Sequence, residues 1–350
     1  MQNDSNYFIK RNKDNTLRLK RALLGLPYYV NEFFLGVESQ TTPLTRLGYV
    51  QDLKIFFNFL VNELPNFSGK TVKDVTLSDL NTIKAQDLEV FLNYLNLYEY
   101  NGKTYMNSAN SKARKLSTVR SFFNYFFKRD KLNSNVCAKI SNPKVKDKEI
   151  IRLEVDEVVK LLNQAENGVN LTKQQQGFHK HTSKRDFAML SLFLGTGIRI
   201  SECVGLNVDD IDFDNNAFTI TRKGGNRVIL YFSDEVAEPL KEYIEERSKI
   251  KDLDENEKAL FLSLQKKRMG IRATEKLVKK YSAIAAPLKH ITPHKLRSTY
   301  GTNLYRETKD IYIVADVLGH KDVNTTKKHY AAISEDIRRE AATKVKLRGE

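Results

Sequence analysis

The sequence predicts two mainly α-helical domains, the second of which contains a small antiparallel β-sheet. Three observations support this fold class. Apolar residues recur every three or four positions through much of the chain, one segment holds two β-branched and aromatic runs around a Gly-Gly pair, and a polar stretch with a proline, residues 142–150, separates two helix-rich regions. A chain of 350 residues is long enough for each domain to bury its own core.

The N-terminal segment, residues 1–26, is polar and basic. Its run KRNKDNTLRLKR is typical of a flexible basic arm or of a short helix that lies along DNA phosphates. A solvated tail fits the same composition equally well.

Residues 27–141 form the predicted first domain. The apolar period predicts a helix from residue 45 to residue 64, where Pro65 ends the pattern. The same period predicts helices over residues 86–97 and 111–129, so this domain is built from helices with basic outer faces.

The predicted linker, residues 142–150, leads into a second domain at residues 151–350. EVDEVVKLLNQ predicts its first helix, a polar insertion containing QQQGFHKHTSK follows, and an apolar helix resumes at Phe187. We expect His179 and His181 of the insertion to be solvated. AFTITRKGGNRVILYF predicts a β-hairpin, because β-branched and aromatic residues flank the glycine turn.

The charge of the chain favours a polyanionic partner. Lys and Arg number 58 against 43 Asp and Glu, a net charge of +15, and nucleic acid attracts such an excess through counterion release. A basic protein that only repels itself in solution remains the alternative. The candidate DNA-contacting residues are Arg114, Lys115, Arg120, Arg272, Lys279 and Lys280.

Membrane, disulfide and metal classes fit the sequence poorly. It has no uninterrupted apolar run of about 18 residues and no apolar leader, which predicts a cytoplasmic protein without membrane contact. Cys137 and Cys203 lie far apart and are interpreted as buried thiols. Pro293 stands between His290 and His294, so a continuous helix bearing both as metal ligands is not expected. No phosphate-binding glycine loop is found, and we expect no metal and no cofactor.

Five local features require one explanation. They are GTGIRISE with Arg199 and Glu202, Lys223 at the hairpin turn, PHKLR with His294 and Arg297, LGH with His320, and Tyr330. In this order the set resembles the active site of the tyrosine recombinase family, which includes phage integrases and the Xer recombinases. The N-terminal module is similar to the family's core-binding domain, mainly through ARKLSTVRSFFNYF.

The same residues suit metal-free cleavage of a phosphodiester, which requires a nucleophile, cationic donors and an acid for the leaving group. Guanidinium forks such as those of Arg199 and Arg297 match phosphate oxygens. The resemblance implies that these two arginines stabilise the pentacoordinate transition state, that Lys223 protonates the 5′ oxygen, and that His294 helps to deprotonate the nucleophile.

The resemblance also implies roles for the remaining residues of the set. Glu202 orients the cations, His320 hydrogen-bonds the scissile phosphate and Tyr330 attacks phosphorus. Ten residues separate His320 from Tyr330 (330 − 320), whereas the commonest family pattern has nine, which would fall on His329. Imidazole can also attack phosphorus, so His329 stays a second candidate.

The C-terminal segment, about residues 333–347, has apolar residues at intervals of four. By resemblance this helix packs on a neighbouring protomer of a cyclic tetramer, although docking on its own domain is the alternative.

The resemblance implies a C-shaped clamp on duplex DNA that carries an inverted-repeat site, with strand exchange through a Holliday junction and an accessory or directionality protein as a possible partner. A mobile-element integrase and a Xer-type resolvase both fit. A catalytically silent DNA-binding protein and a type IB topoisomerase are the other functions considered.

Overall fold

The computed structural model describes residues 5–145, 150–222, 226–319 and residue 323. The chain divides into two compact units, Met1–Lys148 and Glu149–Glu350. Within the described residues, no helix is both long and apolar enough to cross a membrane.

The first unit is a helical bundle with one hairpin. Its helices are α1 (Ser5–Leu23), α2 (Val30–Gly36), α3 (Pro43–Glu63), α4 (Leu77–Leu80), α5 (Ala85–Tyr94) and α6 (Ala109–Phe127), and its strands are β1 (Tyr98–Tyr100) and β2 (Lys103–Tyr105). Thr42 caps α3 by accepting a hydrogen bond from the Thr45 backbone N–H. Buried phenylalanines from α3, α5 and α6 meet edge to face, among them Phe56, Phe91 and Phe123.

The basic N-terminal segment is a helix that packs on this bundle. Helix α1 contacts α3, and Leu19 of α1 is buried in the same core. Of the three alternatives for residues 1–26, the structure has a helix, over Ser5–Leu23, because burial of its apolar face stabilises a helix that its polar composition alone would leave marginal.

The hairpin between α5 and α6 was not predicted. Strands β1 and β2 are three residues each and pair antiparallel, with Tyr98 opposite Tyr105. Asn101 and Gly102 turn the chain with positive φ values of 52° and 69°. An Asn-Gly pair is the usual signal for such a turn, but the flanking runs are too short for a periodic pattern.

The second unit consists of helices around a three-stranded sheet. The helices are α7 (Val155–Asn167), α8 (Lys173–His179), α9 (Ser183–Thr196), α10 (Ile200–Cys203), α11 (Asp234–Ser248), α12 (Ile271–Ala285), α13 (Pro293–Thr308) and α14 (Ile311–Leu318). The strands are β3 (Ile211–Asp212), β4 (Ala217–Thr221) and β5 (Arg227–Tyr231). They form an antiparallel sheet in the order β3-β4-β5. The predicted hairpin and the mainly helical fold class are confirmed.

The polar insertion of the second unit is helical, and the prediction that His179 is solvated is wrong. His179 ends α8 and is buried, with Nε2 2.9 Å from the carbonyl oxygen of Ala165. Gly168 takes a left-handed conformation (φ 65°), and a Cβ there would come within 2.8 Å of the His179 ring. The hydrogen bond to a helix carbonyl compensates for the burial of the imidazole. His181 is exposed, as expected.

A buried carboxylate joins α9 to α12. Asp186 is 1% exposed and accepts hydrogen bonds from Arg185, Lys280 and the Tyr281 hydroxyl at 2.6 to 3.0 Å. A buried carboxylate needs such partners, so this cluster fixes α12 against the core of the second unit.

Candidate active site

The loop between α9 and α10 positions Arg199. Helix α9 ends at Thr196, and Gly197 follows it with a φ of 61°, in the left-handed region that favours glycine. A Cβ on Gly197 would lie 2.5 Å from the Tyr300 ring and 2.9 Å from Leu318. Glycine is therefore required both by the backbone conformation and by the close packing. The turn places Arg199 directly before α10.

Glu202 binds both the side chain and the backbone of Arg199. One carboxylate oxygen of Glu202 accepts from Arg199 Nη1 at 2.9 Å, and the other accepts from the Arg199 backbone N–H at 2.9 Å. The Glu202 side chain is 5% exposed, whereas that of Arg199 is 36% exposed. The carboxylate thus restrains an arginine whose guanidinium is still accessible.

Arg297 comes from α13 and is buried. The helix begins at Pro293, whose missing N–H costs nothing at a first helical position. Arg297 lies one turn further along and donates to the carbonyl oxygens of Gly197 and Leu318. These bonds connect α13 to the loop of Arg199 and to the end of α14.

The C-terminal end of α14 gathers three arginines. Leu318 O accepts from both Arg297 and Arg199, the latter at 3.1 Å. Arg199 also donates to Gly319 O at 3.0 Å, and Arg222 donates to Val317 O at 2.9 Å. Free carbonyls and the negative end of the helix dipole attract cations, so the end of α14 collects these guanidinium groups at one place.

Arg222 sits beside Arg199 and Glu202. Burial lowers the pKa of Arg222, the carboxylate of Glu202 raises it, the charge of Arg199 lowers it and Asp316 raises it again. A guanidinium titrates so far above neutrality that Arg222 stays charged. The site thus concentrates positive charge around one buried carboxylate.

His294 lies on the first turn of α13, three residues before Arg297, and its side chain is exposed. The structure pairs Arg199 with Glu202, brings Arg199 and Arg297 to the same Leu318 carbonyl oxygen, and places His294 on the same helix as Arg297. Other predicted site residues lie outside the described residues. These are Lys223, His320, Tyr330 with its alternative His329, and the predicted C-terminal helix, about residues 333–347.

The predicted DNA-contacting residues of the first unit are largely engaged within it. Lys115 is buried, its Nζ donates to Asn107 at 2.9 Å, and burial lowers its pKa. Arg120 is half-buried and donates to Cys137 O at 3.2 Å and to Asn142. Both side chains thus have partners within the unit, and their assignment as phosphate contacts stays a prediction.

Arg114 remains at the surface. Its two Nη atoms hold Asp52, which is 1% exposed, while the Arg114 side chain is 57% exposed. Such a bidentate pair fixes the plane of the guanidinium while leaving its outer edge accessible.

The α12 candidates differ among themselves. Arg272 and Lys279 are exposed, whereas Lys280 is bound to Asp186 at 3.0 Å. A structural role for Lys280 was not evident from the sequence because Asp186 lies 94 residues away.

Neither a metal cluster nor a reactive thiol is found in the described part of the chain. No group of three or more His, Cys, Asp or Glu side chains there could hold a metal ion. Both cysteines are buried, and burial raises the pKa of Cys137 to about 12 and also raises that of Cys203.

Sequence comparison identifies the family. The profile of the phage integrase family matches residues 151–336, and that of the phage integrase N-terminal SAM-like domain matches residues 30–130. A tyrosine recombinase XerC from Caldanaerobacter subterraneus subsp. tengcongensis is 30% identical over 334 residues, which cover 92% of this chain and 87% of the relative. The chain belongs to the phage integrase family of tyrosine recombinases. It is therefore an enzyme of DNA cleavage and religation in site-specific recombination.

Further relatives agree with this family. The tyrosine recombinase XerS of Streptococcus thermophilus is 29% identical over 326 residues, covering 86% of this chain and 90% of the relative. Among solved structures, XerH bound to palindromic difH in a post-cleavage complex matches with a TM-score of 0.63 and 18% identity, over 87% of this chain and 80% of that chain. A lambda integrase tetramer bound to a Holliday junction matches with a TM-score of 0.61 and 16% identity, over 86% and 76%. These structures share the fold.

Sequence reasoning missed Arg222. It directly precedes Lys223 in the hairpin, and that adjacency was the available signal. A residue next to a predicted catalytic lysine has no required role, and only the contact with Val317, 95 residues away, shows that its side chain belongs to the arginine cluster.

Proposed function

We propose that this recombinase cleaves one strand at each of two DNA sites through a 3′-phosphotyrosine on Tyr330 and exchanges strands through a Holliday junction. One observation carries the proposal. Arg199 and Arg297 converge on the carbonyl of Leu318, at the end of the helix that precedes His320 in the sequence.

The two arginines supply the electrostatic part of the reaction. Each guanidinium has five N–H donors, and the bonds to backbone carbonyls fix its plane. N–H donors of both arginines bind the nonbridging oxygens, where charge accumulates in the transition state. Because Glu202 and the end of α14 hold them before DNA binds, little reorganisation is needed during the reaction.

The other steps are assigned to residues that match the family pattern. The Tyr330 oxygen attacks phosphorus and loses its proton with help from His294, while the bond to the 5′ oxygen breaks. Lys223 gives that oxygen a proton, and His320 hydrogen-bonds the phosphate. The exposed position of His294 on α13, one turn before Arg297, supports its assignment.

The partner is duplex DNA with an inverted-repeat site. A XerH relative of the same fold is bound to difH, and a lambda integrase of the same fold is a tetramer on a Holliday junction. By analogy, we propose that four copies of this chain assemble on two sites, with the helix at about residues 333–347 docked on a neighbour. The proposal also includes an accessory protein as a partner and a cytoplasmic location. It fits both a mobile-element integrase and a Xer-type resolvase.

The first prediction is a covalent protein–DNA complex. A suicide substrate with a nick near the cleavage position loses a short fragment after attack, so religation fails and the adduct accumulates. We expect the wild-type protein to form this adduct in EDTA and without ATP, because the phosphotyrosine conserves the bond energy and arginines stabilise the charge. Denaturing gels measure the adduct, and peptide mass spectrometry locates it.

Matched variants identify the nucleophile. Tyr330→Phe removes only the attacking oxygen and should abolish the adduct while DNA affinity stays within about threefold, whereas His329→Ala should retain trapping. His320→Ala should slow trapping without eliminating it. An adduct on His329, or trapping that survives Tyr330→Phe, would show that the additional residue has shifted the register. Plasmid relaxation without recombinant product would favour a topoisomerase.

A further inference from the structure

Arg222 links two elements of the site. It follows β4, and its backbone N–H donates to Asn226 O at 2.8 Å, so these two residues close the hairpin at the base of the turn. Its side chain leaves the hairpin and donates from Nη2 to Val317 O, near the end of α14, at 2.9 Å. One residue therefore joins the base of the turn to the helix that also binds Arg199 and Arg297.

The guanidinium of Arg222 packs directly on Gly319. A Cβ on Gly319 would lie 2.2 Å from Nη1 and 2.3 Å from Cζ, so any other side chain would displace the arginine. Gly319 also has a φ of 61°, which glycine adopts without strain. Both the packing of Arg222 and the backbone conformation therefore require glycine at position 319.

The placement of Arg222 has an energetic cost that requires compensation. Its Nε is buried and has no hydrogen-bond partner in the part of the chain that the structure describes, and an unsatisfied buried donor disfavours the arrangement. Glu202 attracts the guanidinium, whereas Arg199 repels it. The hydrogen bond to Val317 O and the attraction of Glu202 offset this cost.

We infer that Arg222 is a positioning residue: it fastens the base of the β4–β5 turn to the end of α14, beside the Arg199–Arg297 clamp, and so supports proton delivery by the residue that follows it in the sequence. The inference rests on the proposed role of Lys223 as general acid. Arg222 itself need not touch DNA. A misplacement of about 1 Å can reduce a rate about a hundredfold, so the loss of this link affects proton delivery.

The test uses two suicide substrates that differ at one atom. The first has the natural 5′ oxygen at the cleaved bond, which must take a proton when it leaves. The second has sulfur there, and a thiolate leaves without protonation because thiols have far lower pKa values than alcohols. The first-order rate of adduct formation is measured with the full chain at saturating concentration, and DNA affinity is measured separately.

Arg222→Ala should slow adduct formation about tenfold to a hundredfold on the oxygen substrate and less than about threefold on the sulfur substrate, with DNA affinity within about threefold. Arg222→Lys keeps the charge but not the fork, and should fall between wild type and Arg222→Ala. Arg227→Ala, which removes the same charge from β5, should leave the rate ratio of the two substrates unchanged.

The outcomes separate this inference from the proposed function. Absence of any adduct with the wild-type protein would overturn the proposed function. A normal adduct rate in Arg222→Ala, equal losses on the oxygen and sulfur substrates, or a defect that appears only in DNA affinity would overturn the positioning role of Arg222 alone. Arg222→Lys keeps the test decisive if Arg222→Ala does not fold.

Discussion

At the scale of single residues, Glu202 determines how Arg199 is presented. Its buried carboxylate binds the Arg199 side chain and backbone together. Glu202→Gln keeps the shape but replaces one accepting oxygen with an NH₂ group, so one charge-assisted hydrogen bond, worth about 1.5 to 3 kcal/mol, is lost. We expect the rate of adduct formation to fall by about tenfold to a hundredfold at saturating DNA. Single-turnover cleavage measures this loss.

Glu157 provides a matched control for that variant. It accepts from the backbone N–H of Glu154 at 2.7 Å, three residues earlier, and pairs with Lys289 at 2.6 Å, so its arrangement at the start of α7 resembles that of Glu202. Glu157→Gln should reduce stability slightly and leave cleavage unchanged. Equal rates for Glu202→Gln and wild type would show that Arg199 does not depend on this carboxylate.

At the scale of elements, the sequence predicted the helices and the hairpin that depend on local residue patterns. The pattern over residues 45–64 matches α3 because apolar residues at helical spacing have to face one core, and the β4–β5 hairpin follows from its β-branched runs. Helix α8 was missed because its stability depends on His179 packing against Gly168, a tertiary contact in a polar segment.

The active site, too, was predicted where the signal is local and missed where it depends on tertiary contacts. Arg199, Glu202 and Arg297 were predicted from local motifs in their family order, and the structure brings these three together. The role of the Leu318 carbonyl could not be predicted, because a backbone atom leaves no mark in the sequence. The burial of Lys115 was not predicted either, because it depends on packing within the first unit and not on the helical pattern.

The contact between α9 and α12 leads to a stability prediction. Asp186→Ala leaves Arg185 and Lys280 partly buried without their carboxylate, and breaking such a pair costs about 3 to 5 kcal/mol. We expect the urea concentration at the midpoint of unfolding to fall clearly. Far-UV circular dichroism measures this midpoint. Asp156→Asn is the control, because its pair with Lys160 is exposed at the surface of α7 and is screened by solvent. Equal midpoints for the two variants would refute a structural role for Asp186.

At the scale of the whole molecule, the net charge of +15 acts together with its distribution. Arg272, Lys276 and Lys279 of α12 are exposed at helical spacings of four and three, which places them on one face, while Leu277 and Tyr281 are buried. Because Asp186 fixes α12 through Lys280, this basic face is held in place by the protein core. We propose that it contacts DNA phosphates.

Salt dependence tests that proposal. Each neutralised phosphate contributes about 0.9 to the slope of log affinity against log salt concentration, because binding releases condensed counterions. Wild-type affinity should fall steeply with salt, and Arg272→Gln and Lys279→Gln should each reduce the slope by about 1. Each variant should lose a similar amount of affinity for specific and for unrelated DNA sequences.

Lys249→Gln is the control, since its ammonium is already paired with Glu245 at 2.6 Å. Fluorescence anisotropy at a series of salt concentrations measures the slopes. A flat wild-type slope would argue against phosphate-dominated binding, and slopes unchanged by both α12 variants would place the DNA on another face.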